Sequence, residues 1–356
     1  MEKTYLISKN SKVPIRDSRL FYLDYLRITC SFFVILIHVS AQYYRLDLNS
    51  YKWKIAYFYN GISRFSVPNF FMISGILFLR KKITFEIIIK KYIKKIFIHL
   101  LLWSIIYSLS DANITKLNLK YRIIHIIKGH IHLWFLYVIM GLYILIPFTR
   151  EIIKNTELLN DFLLFNIVFI FIIPNYIHIF RYYSIDLFNL FDNLIKKMNL
   201  NTLSVNHFYF IFGYYLNNKK DMNKELILIS YIAGLIGLFF TTYISYNFSI
   251  IRQKKIAYHF SQYLNIFFYT TAIFICFKNL FNNSKKRIFQ KLSKFTFGIY
   301  LVHPFIIENI MIKLNVFSLK LNMVFLIPII NLITFLLSLI ICIFFNYIPL
   351  IGKYLI

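Results

Sequence analysis

Arg27 and His38 lie eleven positions apart in "LDYLRITCSFFVILIHVS", a stretch from Leu23 to Ser40 that is apolar enough to cross a bilayer. In an α-helix that spacing is almost three turns, so the two side chains point the same way, about 16 Å apart along the axis. Asp24 sits one turn before Arg27 and Ser31 one turn after it, on or near the same stripe. A guanidinium holds anions, and an imidazole takes up and returns protons near neutrality. Facing lipid would cost such groups several kcal/mol, so the stripe is expected to look onto a bundle interior or a wet cavity. Taken singly, Arg27 can snorkel to headgroups and His38 can hydrogen-bond a neighbour at the interface. Their shared face weighs against both ordinary explanations.

Three further stretches put polar groups into apolar surroundings. "SRFSVPNFFMISGILFL" carries Arg64, a kinking Pro68, and Ser74–Gly75 as small residues that permit close helix approach. Arg64 needs a partner, with Asp24 or an anionic ligand as the candidates. "HIHLWFLYVIMGLYILIPF" sets His130, His132 and Trp134 at the start of a span, where aromatic anchoring at the interface explains most of Trp134. "FGIYLVHPFIIENI" puts His303 before Pro304, with Glu308 about one and a half turns on. His99, His125, His130, His132 and His178 lack compact spacing with Cys or carboxylates, so no metal site is expected. Nor is there a serine-nucleophile motif or a phosphate-cradling glycine loop.

The elements that must hold these residues are membrane helices. The chain has 356 residues, 59% hydrophobic and 20% aromatic, only 15% charged, with a mean hydropathy of +0.62. An average soluble chain has about 25% charged residues. The apolar blocks are continuous rather than alternating, which excludes a membrane β-barrel. About ten spans are expected, at 23–43, 56–79, 93–110, 131–148, 162–180, 205–217, 226–246, 260–279, 295–313 and 322–347. The fold class is therefore an all-α polytopic bundle. It divides into an N-terminal segment 1–22, a transmembrane domain 23–347 and a short tail 348–356.

The formal charge of +27 sits mostly in short loops, where it orients the chain against anionic lipid, so nucleic acid is not the expected partner. With both termini in the cytoplasm, inner segments hold about 24 Lys and Arg and outer ones about 15, Arg27 and Arg64 lying within spans. The densest inner loops are 80–95 and 278–294. No cleavable signal peptide is expected, because the first twenty residues are polar and basic. Cys30, Cys276 and Cys342 are read as small hydrophobes in helix contacts.

The four polar stretches resemble membrane acyltransferase family 3, the integral-membrane O-acyltransferases that decorate bacterial surface sugars and some antibiotics. The matching elements are Arg27-x10-His38, "RFSVPNFFMISG", "HLWFLYVIMGLYILIPF" and "FGIYLVHPFI", in the family's order and spacing. The resemblance implies a stand-alone ten-helix acyltransferase of the bacterial plasma membrane, without the soluble esterase-like domain of some relatives. It implies no tightly bound cofactor and acyl-CoA as donor substrate, with acetyl-CoA expected. The acceptor would be a hydroxyl of a cell-envelope glycan or glycolipid. By that analogy His38 is the catalytic histidine and Arg27 its companion. The family's basic Arg-x-x-Arg-like pair falls where this chain has "KKYIKKIF", so Lys91 and Lys94 or Lys95 stand in, keeping the charge without the bidentate fork. Arg64 joins these lysines as a donor-binding candidate. Asp24, Ser74, His132, Trp134, His303 and Glu308 are candidates for acceptor or supporting roles.

The competing expectations are a transporter or flippase for a polysaccharide or lipid-linked sugar, since polar residues on facing helices also mark substrate paths, and a membrane subunit without chemistry. The orientation is open to a direct check. A reporter that fluoresces only in the cytoplasm should light up when fused after residue 84 and stay dark when fused after residue 120; the opposite pattern overturns it.

Overall fold

The computed structural model describes residues 19–111, 114, 118–175, 197, 204–219, 222–251, 253, 263–284, 286–348, 352, 354 and 355. Outside it fall residues 1–18 of the N-terminal segment, 176–180 of the fifth expected span, 260–262 of the eighth, His178, and parts of the tail. Every regular element among the described residues is helical, with no strand among them. The long helices are α1 (Phe21–Ala41), α2 (Tyr51–Ser63), α3 (Ser66–Leu79), α4 (Lys94–Ser110), α5 (Leu119–Lys128) and α6 (Trp134–Ile144). They continue with α7 (Ile146–Lys154), α8 (Thr156–Asn166), α9 (Val205–Asn218), α10 (Lys224–Phe239), α11 (Ser245–Ile251) and α12 (Leu264–Phe281), then α13 (Arg287–Leu292), α14 (Thr296–Ile306) and α15 (Met323–Tyr347). Several begin at side-chain caps: Ser50, Asn118, Asn155, Asn223 and Asn322 each accept a backbone N–H of the first turn. These short polar residues satisfy donors that the helix itself leaves unpaired.

Eight helical stretches are long and apolar enough to cross a membrane, among them 51–79, which runs through α2 and α3. The two other expected spans are also helical but shorter. One is α9, with 14 residues, and the other is α14, whose 11 residues continue into a π-helical segment Ile307–Met311. Both are largely buried, so their polarity and length answer to packing rather than to lipid.

Two apolar clusters form the core, and α1 belongs to both. Its first half (Tyr22, Leu26, Cys30) packs with Phe71, Met72 and Phe210; its second half (Ile35, Leu36, Val39) packs with Leu136, Ile299 and Leu326. The three cysteines are free thiols, Cys30 and Cys342 buried and Cys276 partly so. The tightest crossing is α3 against α9. A methyl group on Gly75 would stand 1.7 Å from the Phe210 carbonyl oxygen, and one on Gly213 would stand 2.5 Å from Met72 Cα. Only a bare Cα on each side allows this approach, as small residues do at membrane helix interfaces. Gly75→Ala should therefore separate the two helices and destabilise the bundle by about 3 kcal/mol, the upper end for overpacking. Loss of the monodisperse peak in detergent gel filtration, with Gly141→Ala (open space around the Cβ) as the unaffected control, checks this.

Candidate functional site

The site is assembled around α1. One cavity of about 480 Å³ is lined by both Arg27 and His38. Ser74, Tyr92, Lys95, Tyr143 and Lys294 line the cavity too, as do His132, Trp134 and Tyr300. The rise between Arg27 and His38 is about 16 Å, so the cavity runs along α1 rather than across it. Their shared inward face is as the spacing implies. Neither the Arg27 guanidinium nor the His38 ring makes a protein hydrogen bond or ion pair among the described residues. Both are therefore free to meet a ligand in the cavity.

His38 and His132 line the cavity, and His303, His130 and Glu308 cluster behind them without lining it. The His38 and His303 rings lie 5.1 Å apart between centroids, and His303 and His132 lie 5.8 Å apart. His130 and His132 approach through their Nδ1 atoms at 2.7 Å, and His130 Nε2 lies 3.0 Å from Glu308 Oε1. Tyr107 stacks on His130 at 4.3 Å. Thus His38, His132, His303 and Glu308 are brought together, and His130 joins them as the link. His130 was visible in the sequence as half of a His-x-His pair; its tie to Glu308 joins residues 178 positions apart and had no local signal.

Pro304 explains how α14 delivers His303. Proline has no N–H for the helical ladder and displaces the preceding turn. Here the Tyr107 hydroxyl enters the gap, donating to the Leu301 carbonyl at 2.8 Å and accepting the Phe305 N–H at 3.1 Å. A side chain inserted into the ladder bends a helix. The π-helical turn that follows, a form common at functional sites, carries Glu308 toward His130.

The other candidates divide. Ser74, Lys95 and Trp134 line the cavity, Trp134 being 46% exposed. Lys91 and Lys94 are exposed and do not line it; the Lys91 amine lies over the Tyr92 ring at 5.7 Å. Lys294, from the basic loop 278–294, does line it and was not singled out among the candidates. Asp24 is not the partner of Arg64. It is buried and accepts from Arg19 Nε at 2.8 Å, Arg19 Nη2 at 3.0 Å and Ser293 Oγ at 2.6 Å, tying the start of α1 to the residues before α14. The hydrogen bond to Asp24 raises the Arg19 pKa above its ordinary value.

Arg64 donates instead to Asn60 Oδ1, through Nε at 2.7 Å and also through Nη2. Asn60 in turn donates to the Ile37 carbonyl and Ser40 Oγ, both at 3.0 Å, beside His38. Arg64 therefore stands near the histidine end of α1, and it does not line the cavity that Lys95 lines. Its neutral partner one turn away satisfies donors without a carboxylate, a solution that composition does not announce. Among the described residues no group of three or more His, Cys, Asp and Glu is arranged to hold a metal ion.

The acyltransferase-domain family, acyltransferase family 3, matches residues 20–347 of the chain. Among curated proteins, the chain is similar to the probable poly-beta-1,6-N-acetyl-D-glucosamine export protein of Staphylococcus aureus strain MRSA252. It is 26% identical over 309 residues, covering 83% of this chain and 85% of that protein. The protein of the same description from Staphylococcus epidermidis is 27% identical over 309 residues, covering 83% of each chain. No solved structure matches at a significant level.

The Tyr107 insertion makes a measurable demand. Tyr107→Phe leaves a buried carbonyl and N–H unpaired or lets the ladder reclose, and should cost about 1–3 kcal/mol of stability. A lowered thermal unfolding midpoint in detergent checks it, and an unchanged midpoint would show that the hydroxyl is not holding the bend.

Proposed function

The chain belongs to acyltransferase family 3, and from that premise we propose that it is an O-acyltransferase of the bacterial plasma membrane. In this reading it moves an acyl group from cytoplasmic acyl-CoA to a hydroxyl of a cell-envelope glycan. The observation that carries the reading is the single cavity bordered by an unpaired arginine at one end and an unpaired histidine at the other. Coenzyme A carries a diphosphate and a further phosphate, which suit Arg27, Lys95 and Lys294. Its pantetheine arm, about 15–20 Å when extended, matches the rise from Arg27 to His38. The anionic head stays at the basic end while the thioester reaches the histidines.

The transfer then needs a base, because an alcohol is a poor nucleophile at neutral pH. A ring nitrogen of His38 takes the acceptor hydroxyl's proton as that oxygen bonds to the thioester carbonyl carbon. The C–S bond breaks, the thiolate recovers the proton from the imidazolium, and an ester and free thiol leave. Atoms and charge balance without a further reactant. Arg27, some three turns away, acts on the donor rather than on the reacting bond.

The relatives' description brings the acceptor class: a poly-N-acetylglucosamine or a similar amino-sugar polymer offers free ring hydroxyls. The same description favours a second reading, export of such a polymer without chemistry. A cavity of about 480 Å³ supports the first reading, since it is the size of a small-molecule site rather than a conduit for a chain of sugars.

Protein in vesicles with acetyl-CoA on the lysine side should release free coenzyme A only when an acceptor oligosaccharide is present. His38→Ala, inserted normally, should lower that rate by about 10²–10⁴-fold, the range for loss of a general base. Full activity of His38→Ala overturns the assignment, and acceptor movement across vesicles without acyl-CoA establishes export.

A further inference from the structure

Asp24 is the one carboxylate on α1, three residues before Arg27 and on or near the same stripe. Side chains three apart on a helix are neighbours, with Cβ atoms about 5–6 Å apart, and opposite charges in that relation attract. The Asp24 charge is close enough to act on the Arg27 guanidinium. Charge alone would therefore join the two. Instead, Arg19, just ahead of α1, holds the carboxylate with two prongs, Nε on Oδ2 at 2.8 Å and Nη2 on Oδ1 at 3.0 Å. The Ser293 hydroxyl donates to Oδ1 at 2.6 Å. Both carboxylate oxygens are thus taken. Asp24 is 4% exposed and does not line the cavity, whereas Arg27 does.

We infer that Arg19, with Ser293, is a latch that keeps Asp24 from neutralising Arg27, so that the guanidinium stays open to an anionic ligand. Arg19 does not line the cavity, so it acts through Asp24 and is a positioning residue. The inference rests on the reading above, in which Arg27 meets the phosphates of acyl-CoA, and deepens it. Without Arg19 the buried carboxylate keeps one hydroxyl donor and an unbalanced charge. Its nearest remedy is the guanidinium one turn along α1, and the same charge repels an incoming phosphate. A purely mechanical role would work differently. Arg19 Nη2 also donates to the Gln290 carbonyl at 3.2 Å, and Ser293 is followed by Lys294, which lines the cavity. Loss of that tie would displace Lys294 whatever charge residue 24 bears. The two routes respond oppositely to removal of the carboxylate.

Binding of acetyl-CoA to the full chain in detergent separates them. Arg19→Gln should weaken it about tenfold, as expected for a charge competing one turn away. Adding Asp24→Asn to Arg19→Gln should recover most of the loss, because no carboxylate remains to compete for Arg27. Asp24→Asn alone should bind at least as tightly as wild type, which keeps the inference open to refutation even if Arg19→Gln does not fold. A gel-filtration peak and an unfolding midpoint on each variant report folding. Full affinity in Arg19→Gln, a double variant no tighter than Arg19→Gln, or weakened binding in Asp24→Asn overturns the latch and leaves the donor reading standing. A wild-type chain that binds no acetyl-CoA overturns the donor reading and the latch with it.

Discussion

Hydrocarbon offers no hydrogen bonds, and the architecture follows from that constraint. Every polar group carried into the apolar zone must find a protein partner or border a cavity. α1 obeys it residue by residue. Asp24 is taken by Arg19 and Ser293, the Ser31 hydroxyl by the Arg27 carbonyl, and the Ser40 hydroxyl by the Leu36 carbonyl. Arg27 and His38 are left without such partners, and both border the cavity. A helix that lies in both apolar clusters can hold those two groups at a fixed separation, because neither half of it is free to slide.

The same constraint explains the irregular backbone around the histidines. A regular α14 would aim its side chains along one straight line. Pro304 breaks the ladder, the Tyr107 hydroxyl satisfies the groups set free, and the π-helical turn adds a residue to the circuit, so that His303 and Glu308 both reach the cluster. The bend is affordable only because a side chain from α4 fills it. Removing the tyrosine leaves the proline's cost uncompensated, which links a residue outside the cavity lining to the geometry within it.

What could be seen in the sequence divides along the same physical line. The membrane class, the inward stripe of α1 and the close approach at Gly75 are local or periodic properties, and composition and spacing carry them. Partners are not local. Asp24 and Arg64 look like a natural pair by charge, yet each is satisfied by a neighbour that hydropathy ignores: a arginine outside the span for one, a neutral asparagine one turn away for the other. Glu308 stood out as an isolated carboxylate in an apolar run, but its contact with His130 depends on a bend that no propensity reveals. The helix α5, by contrast, is amphipathic and exposed, so the expected span starts only at 131, although α5 forms with its own Asn118 cap and runs ahead of α6 in one helical stretch. α9 was the shortest expected span because packing against α3, not lipid, determines its length.

In the proposed reading, the distance between the two ends of the cavity is itself the device that makes transfer across a membrane affordable in energy. The donor's head bears several negative charges, and each would cost several kcal/mol at the bilayer centre. The acceptor is a polyol whose hydroxyls would likewise lose their water. An acyl thioester is small and uncharged in the acetyl case. Holding the phosphates at Arg27 and the lysines, and the hydroxyls at the histidines, confines the crossing to the one component that hydrocarbon tolerates. The guanidinium and the imidazole then need to be far apart: closer together, they would draw the donor's charge inward; further apart, the pantetheine arm would fall short of the hydroxyl.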